Sequence, residues 1–170
     1  MANAIEIVNC PVCDAAPTKI WMDDRKPTRY VKCIVCETIY ASPRASSSAR
    51  FSWLDSTFRL GDNALLNAKA RTQALAQESA LLQKYVKGGR LLDVGCDLGN
   101  FFHWFSNPRW ERYGVEISPS AAAFAANTYA AQVYNGSIDK AAYPDVFFDL
   151  VTMLDMLVES ADSGRTAVNV

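Results

Sequence analysis

The segment LLDVGCDLGNFF restricts the fold more than any other part of the chain. Leu91–Val94 has the length and apolar character of a buried strand, Gly95 and Gly99 provide turn positions open to positive φ, and Asn100–Ser106 opens a helix. A strand that passes through such a turn into a helix aims unpaired N–H groups and the positive helix end at one crevice, where a ligand can be cradled. Taken alone, the loop fits equally well a tight turn in any doubly wound protein.

The flanking sequence extends the pattern. After Gly88-Gly89, Arg112–Ile117 is a second strand. Pro119–Tyr129 is a helix with Ser118 as N-cap and Pro119 at its first position. Gln132–Tyr134 and Phe148–Leu154 are a third and a fourth strand. This alternation predicts βαβ units on a parallel sheet, with the Ala-rich stretch at 121–126 packed close to it. Upstream, Asn63–Val86 lacks Pro and Gly and sets Leu75, Leu82 and Val86 on one face, as an amphipathic helix does. Residues 45–61 are Ser-rich but carry Phe51, Trp53, Leu54 and Phe58, too aromatic for a free linker.

What the loop lacks narrows its ligand. There is no GxxxxGK[ST], which argues against a triphosphate site. The dinucleotide form GxGxxG also fails, because Asp97 lies between Gly95 and Gly99 and its carboxylate would repel a pyrophosphate. About 20 residues on, Glu116 ends the second strand, where an acidic side chain can accept both hydroxyls of a ribose. A nucleoside-bearing cofactor without phosphate satisfies both conditions.

A second signal lies upstream. Cys10-Pro-Val-Cys13 and Cys33-Ile-Val-Cys36 are nineteen residues apart, a spacing that presents four thiolates tetrahedrally to Zn²⁺. Such a structural Zn²⁺ substitutes for a core too small to fold alone, and four cysteines leave no open position for hydrolytic water. Asp14 and Glu37 stand where zinc knuckles often use Gly. Residues 1–44 carry a formal excess of one positive charge with no clustered Lys/Arg stripe, so no nucleic-acid surface is expected. The whole chain, with 17 basic and 18 acidic residues, has no field to draw in nucleic acid or an anionic membrane. No apolar run spans a bilayer and no leader pattern opens the chain, so the expected address is the cytoplasm.

The segments LLDVGCDLGNFF, YGVEISPSAAAFAA, NGSID and FFDLVTMLD closely resemble the class I S-adenosylmethionine-dependent methyltransferases, in particular bacterial members that begin with a zinc ribbon. The resemblance covers most of residues 89–157. It implies a zinc ribbon at 1–44, an aromatic linker and helix at 45–88, and a Rossmann-like parallel sheet at 89–170. That sheet corresponds to the N-terminal half of the family core. By the resemblance, Asp93, Gly95, Cys96 and Gly99 line the methionine and sugar end of S-adenosylmethionine, and Glu116 holds the ribose. Ser137 falls at the adenine amino group, Ile138 against the ring, and Asp155 near the methionine moiety or the acceptor.

Asp97 departs from the family's usual GxGxG, so it either crowds the ligand or adopts a different backbone angle. Val158, Glu159 and Ser160 replace the family's Glu, His and Val, so no family-type acid/base His is expected and no catalytic residue is assigned. Cys96 has no neighbouring His or Lys to activate it, and His103, inside FFHWF, is read as helix packing. Asp93 also suits a simple turn cap. The implied activity is methyl transfer to a small-molecule or protein acceptor. The alternative is a C-terminally truncated, catalytically inactive relative of the family that acts as a zinc-ribbon and Rossmann binding module and self-associates through the apolar edge of its fourth strand.

Overall fold

A computed structural model describes residues 5–16, 19–23, 28–46, 49, 69–154 and 156. The aromatic stretch Phe51–Phe58, the first turns of the helix expected from Asn63, Asp155 and Val158–Ser160 lie outside the described residues.

The first 45 residues form short antiparallel elements. β1 (Ile5–Glu6) pairs with the later β5 (Arg44–Ala45), while β2 (Lys19–Met22), β3 (Tyr30–Lys32) and β4 (Ile39–Ala41) make a three-stranded sheet in that order. Val31 and Tyr40, a cross-strand pair, are buried with Cys10 and Cys33. That core is very small, consistent with a module that relies on its thiol cluster.

Residues 69–74 are helical, a turn at Leu75 follows, and α1 (Ala76–Tyr85) continues. Leu75, Leu82 and Val86 pack against the main core, as their spacing predicts. Two further contacts hold this region: the Trp104 indole N–H donates to Thr72 O at 2.8 Å, and the Gln83 amide donates to Trp104 O at 3.2 Å.

β6 (Gly89–Val94) leads into a 3₁₀ helix (Asn100–Phe105), followed by β7 (Trp110–Glu116), α2 (Pro119–Tyr129), β8 (Gln132–Asn135), α3 (Ile138–Ala141) and β9 (Leu150–Thr152). The four strands are parallel in the order β8-β7-β6-β9. The order reverses between β6 and β9, the switch point at which open α/β sheets bind ligands. Ser118 caps α2 by accepting from the Ala121 N–H, and Pro119 follows at the first helical position.

The sheet has two apolar faces. Leu91 packs with Phe101, Phe102, Phe105, Trp110, Ala125 and Ala131 on one; Leu92, Val94, Tyr113 and Val115 pack with Tyr143, Phe147 and Phe148 on the other. Buried Ala121, Ala122 and Ala125 let α2 approach closely. Gly114 serves the same purpose within β7, because a Cβ there would stand 2.7 Å from Cys96 Sγ and 3.1 Å from Phe102 Cζ.

Three sequence expectations change in detail. The helix opened by Asn100 is 3₁₀ and ends at Phe105, because Pro108 excludes the helical region for the residue before it and a turn from Asn107 O to Trp110 N takes over. His103 is exposed, its ring 5.2 Å from that of Trp104, while Phe101, Phe102 and Phe105 do the packing. The fourth strand is only Leu150–Thr152. Phe147 and Phe148 instead turn into the aromatic cluster on the second face, and Asp149 accepts a 2.7 Å hydrogen bond from the Arg90 N–H.

Gly99 has φ +76°, and a Cβ there would lie 2.9 Å from both Phe102 and Tyr129 and 3.0 Å from Ala125. Gly99→Ala therefore adds left-handed strain to a steric clash. We expect a loss of roughly 2 kcal/mol or more, read as a lowered thermal midpoint. An unchanged midpoint would contradict this packing.

Candidate functional site

The glycine loop is fastened to the end of β7. Gly95 and Cys96 donate to Val115 O at 2.8 and 3.2 Å, and Gly99 donates back to Cys96 O at 2.8 Å. Three alternate residues, Gly95 (φ +74°), Asp97 (φ +54°) and Gly99 (φ +76°), are left-handed. Asp97 thus adopts the backbone angle its missing glycine would have taken, which Asp tolerates better than most residues. The Cys96 thiol is buried against Phe102 and Gly114, where burial pushes its pKa up, so it is inert packing and only its backbone belongs to the loop.

Two acidic side chains frame this loop. The Glu116 carboxylate accepts from the Asp97 N–H at 3.0 Å and the Ser118 N–H at 2.8 Å, joining the loop to the start of α2. Burial raises its pKa, against the lowering effect of those backbone donors. Asp93 is 4% exposed and accepts a 2.7 Å hydrogen bond from the Thr152 hydroxyl across the β6–β9 pair. Burial pushes its carboxyl up to about 7; the Thr152 bond and the Arg71 charge oppose the rise, and the charges of Asp97 and Glu116 add to it.

Beyond the loop, Ser137 is the extended residue preceding α3 and its carbonyl accepts from the Lys140 N–H. Ile138 packs on the second face and lines a cavity of about 480 Å³ with Leu92, Tyr143, Phe147, Phe148 and Val151. Met156 rests on the loop, since a Cβ on Gly95 would stand 2.6 Å from its sulfur. Asp155 lies outside the described residues. The structure therefore gathers Asp93, Gly95, Gly99 and Glu116 at the switch point, with Ser137 and Ile138 at the start of α3.

Sequence reasoning missed three residues here. Thr152 holds Asp93, and a hydroxyl within an apolar strand opposite a buried acid was the available signal. Asn135 donates to Glu116 O at 2.8 Å and Ile117 O at 3.0 Å, fixing the turn after β7. Arg71, from the helical segment upstream, lowers the pKa of both Asp93 and Asp97; nothing local in the sequence relates it to the loop.

The second candidate centre is Cys10, Cys13, Cys33 and Cys36, whose sulfurs all lie within 4.8 Å of one another. Cys10 and Cys36 are 3.5 Å apart, Cys13 and Cys33 3.6 Å. Tetrahedral Zn–S bonds of about 2.3 Å separate their sulfurs by about 3.8 Å, so the donor set fits Zn²⁺. Both knuckles repeat one pattern: Cys10 N–H to Ala15 O with Asp14 N–H to Cys10 O, and Cys33 N–H to Thr38 O with Glu37 N–H to Cys33 O. Asp14 (φ +58°) and Glu37 (φ +62°) occupy the left-handed position of each. The Thr38 hydroxyl, 3.2 Å from Cys36 Sγ, helps lower that thiol's pKa to about 6.

A family model described as a methyltransferase domain matches residues 66–167. The chain belongs to this methyltransferase family. Among solved structures, the chain superposes on a SAM-dependent methyltransferase from Thermotoga maritima with a TM-score of 0.53 at 20% identity, covering 68% of this chain and 54% of that one. The plantazolicin methyltransferase in complex with SAH gives a TM-score of 0.51 at 17% identity, covering 72% and 52%. At these identities the likeness is one of fold, the Rossmann-like class I architecture. The chain spans about half the length of these solved relatives. No curated protein matches it.

Asp93 provides a pH test. Its native pKa lies above the ordinary value of 3.8, so the folded state holds the proton more tightly. Its contribution to stability is full below pH 4 and lost as pH rises through about 7. Asp93→Asn keeps an acceptor for Thr152 and removes the buried charge. We expect a small gain in stability at pH 4 that grows to roughly 2–4 kcal/mol at pH 8, measured by denaturant unfolding. A gain of equal size at both pH values would refute the shift.

Proposed function

We propose that this chain binds S-adenosylmethionine at the β6–β9 switch point and transfers its methyl group to a small-molecule or protein acceptor. The observation that carries the reading is Glu116, placed at the tip of β7 against a loop with three left-handed residues. Such a carboxylate suits the two ribose hydroxyls. In this reading Asp93, Gly95, the Cys96 backbone and Gly99 lie along the methionine and sugar end, with Ser137 and Ile138 at adenine and Asp155 near the methionine or acceptor. When bound, S-adenosylmethionine supplies an electrophilic methyl carbon on a sulfonium sulfur. The chain's own residues have to hold donor and acceptor in line and exclude water, so no catalytic dyad is required.

Residues 1–44 act as a zinc ribbon whose four thiolates saturate one Zn²⁺ in a structural role, residues 45–88 bridge to the sheet, and 89–170 hold the cofactor. A second reading has one specific observation in its favour. Among the described residues, β9 hydrogen-bonds to β6 alone, and a free strand edge invites pairing with another copy. A non-catalytic module that self-associates through this edge would exploit it.

Calorimetry of the zinc-loaded protein with S-adenosylmethionine tests the main reading, and Glu116→Ala should weaken binding at least tenfold through loss of its charge-assisted hydrogen bonds. Absence of binding by folded wild-type protein, together with a concentration-dependent dimer in sedimentation, would favour the module. Metal analysis should find one Zn²⁺ per chain, lost in Cys33→Ser; retention of full metal by that variant would remove the ribbon assignment.

A further inference from the structure

Glu116 accepts a backbone N–H at each of its oxygens, and Asp93 accepts the Thr152 hydroxyl. Asp97 accepts the Leu98 N–H, but its Oδ1 is buried and, among the described residues, accepts no hydrogen bond. An unsatisfied buried carboxylate oxygen is costly, and it persists most readily where a ligand supplies the donor. The side chain sits on a left-handed backbone, the angle a glycine at this position adopts without strain, so it adds a carboxylate where a glycine would also fit.

The surrounding charge selects the donor. The negative charges of Asp97 and Glu116 both act on Asp93, so a neutral hydroxyl donor would leave their mutual repulsion in place while a cation would relieve it. Arg71 lies close enough to lower both Asp93 and Asp97, which puts one positive group beside the acidic ones. Groups of both signs side by side match a zwitterionic amino-acid end. We propose that Asp97 is a specificity residue that binds the α-ammonium of the methionine moiety of S-adenosylmethionine, replacing a loop glycine with a charged anchor. The inference rests on the S-adenosylmethionine reading above and assigns one donor within it.

The test is calorimetry of zinc-loaded wild type, Asp97→Asn and Asp97→Gly with three probes: S-adenosylmethionine, S-adenosylhomocysteine and 5′-methylthioadenosine. The first two share the amino-acid end, only the first has a sulfonium, and the third keeps adenine and ribose alone. Asn and Gly both accept a left-handed backbone, so folding should survive, and thermal melts check it. We expect both variants to lose roughly tenfold to a hundredfold in affinity for S-adenosylmethionine and S-adenosylhomocysteine alike, with 5′-methylthioadenosine unchanged within about twofold. A parallel loss for 5′-methylthioadenosine would make the partner the ribose and overturn the proposal. A loss confined to S-adenosylmethionine would make it the sulfonium. Unchanged or improved affinity in both variants would show that Asp97 binds nothing, leaving the cofactor reading intact, whereas no binding by wild type would remove that reading itself.

Discussion

The carboxylate of Glu116 holds the glycine-loop end of the sheet together. It reaches backward to the Asp97 amide and forward to the Ser118 amide, while its own carbonyl accepts from the Asn135 side chain and the Gly136 amide. One residue thus ties the glycine loop, the start of α2 and the turn after β8 to the tip of β7. Each bond carries or adjoins a charge that burial has partly stripped of water, which strengthens the hydrogen bonds and raises the cost of losing them. The left-handed loop residues are affordable because this brace, with Val115 O, fixes the path they must follow.

Most of the sheet was legible because its signals are local. The strand pattern at Leu91–Val94, the Ser118-Pro119 helix start and the alternation of apolar runs depend on neighbours within a few residues, and the order of elements follows that pattern, although the fourth strand is cut to Leu150–Thr152 where Phe147 and Phe148 turn into the second apolar face. The four cysteines were legible for the same reason, since thiolate spacing alone fixes the knuckles. Thr152, Asn135 and Arg71 escaped because their importance comes from pairings about 60, 19 and 20 or more residues away in sequence, which only the folded arrangement brings together. Cys96, read from sequence as an unactivated loop residue, has its thiol in the core beside Gly114, which leaves its backbone to the loop. Asp155, Phe51–Phe58 and Val158–Ser160 fall outside the described residues and stay as read from sequence.

A common device links the two halves of the chain. Asp14, Glu37 and Asp97 each stand where a glycine would be the unstrained choice, and each is left-handed, at φ +58°, +62° and +54°. In the knuckles the polar side chains find surface partners: Asn9 donates to Asp14 at 3.2 Å, and Lys32 to Glu37 at 2.9 Å. These exposed contacts offset little of the backbone cost, which the closed thiol cluster must override. Asp97 is the exception, because its Oδ1 is buried and unpaired. The same left-handed backbone therefore has different consequences: at the knuckles it is a tolerated imperfection, and in the loop it accompanies a buried carboxylate oxygen with no hydrogen bond among the described residues.

Electrostatics then decides which ligand class the loop can hold. Asp93, Asp97 and Glu116 each have a carboxyl whose pKa burial raises, and Asp93 feels the other two. Glycine loops at helix starts usually favour anions through their N–H groups and the helix dipole. Here the 3₁₀ helix is only six residues long and its first residue, Asn100, is buried, so its dipole adds little attraction for an anion. A phosphate would be repelled by the ionised groups of this set, whereas a ligand carrying net positive charge beside a ribose would be attracted by them. The charge of the loop thus supports, from a direction separate from family membership, the proposal that it holds a cationic nucleoside.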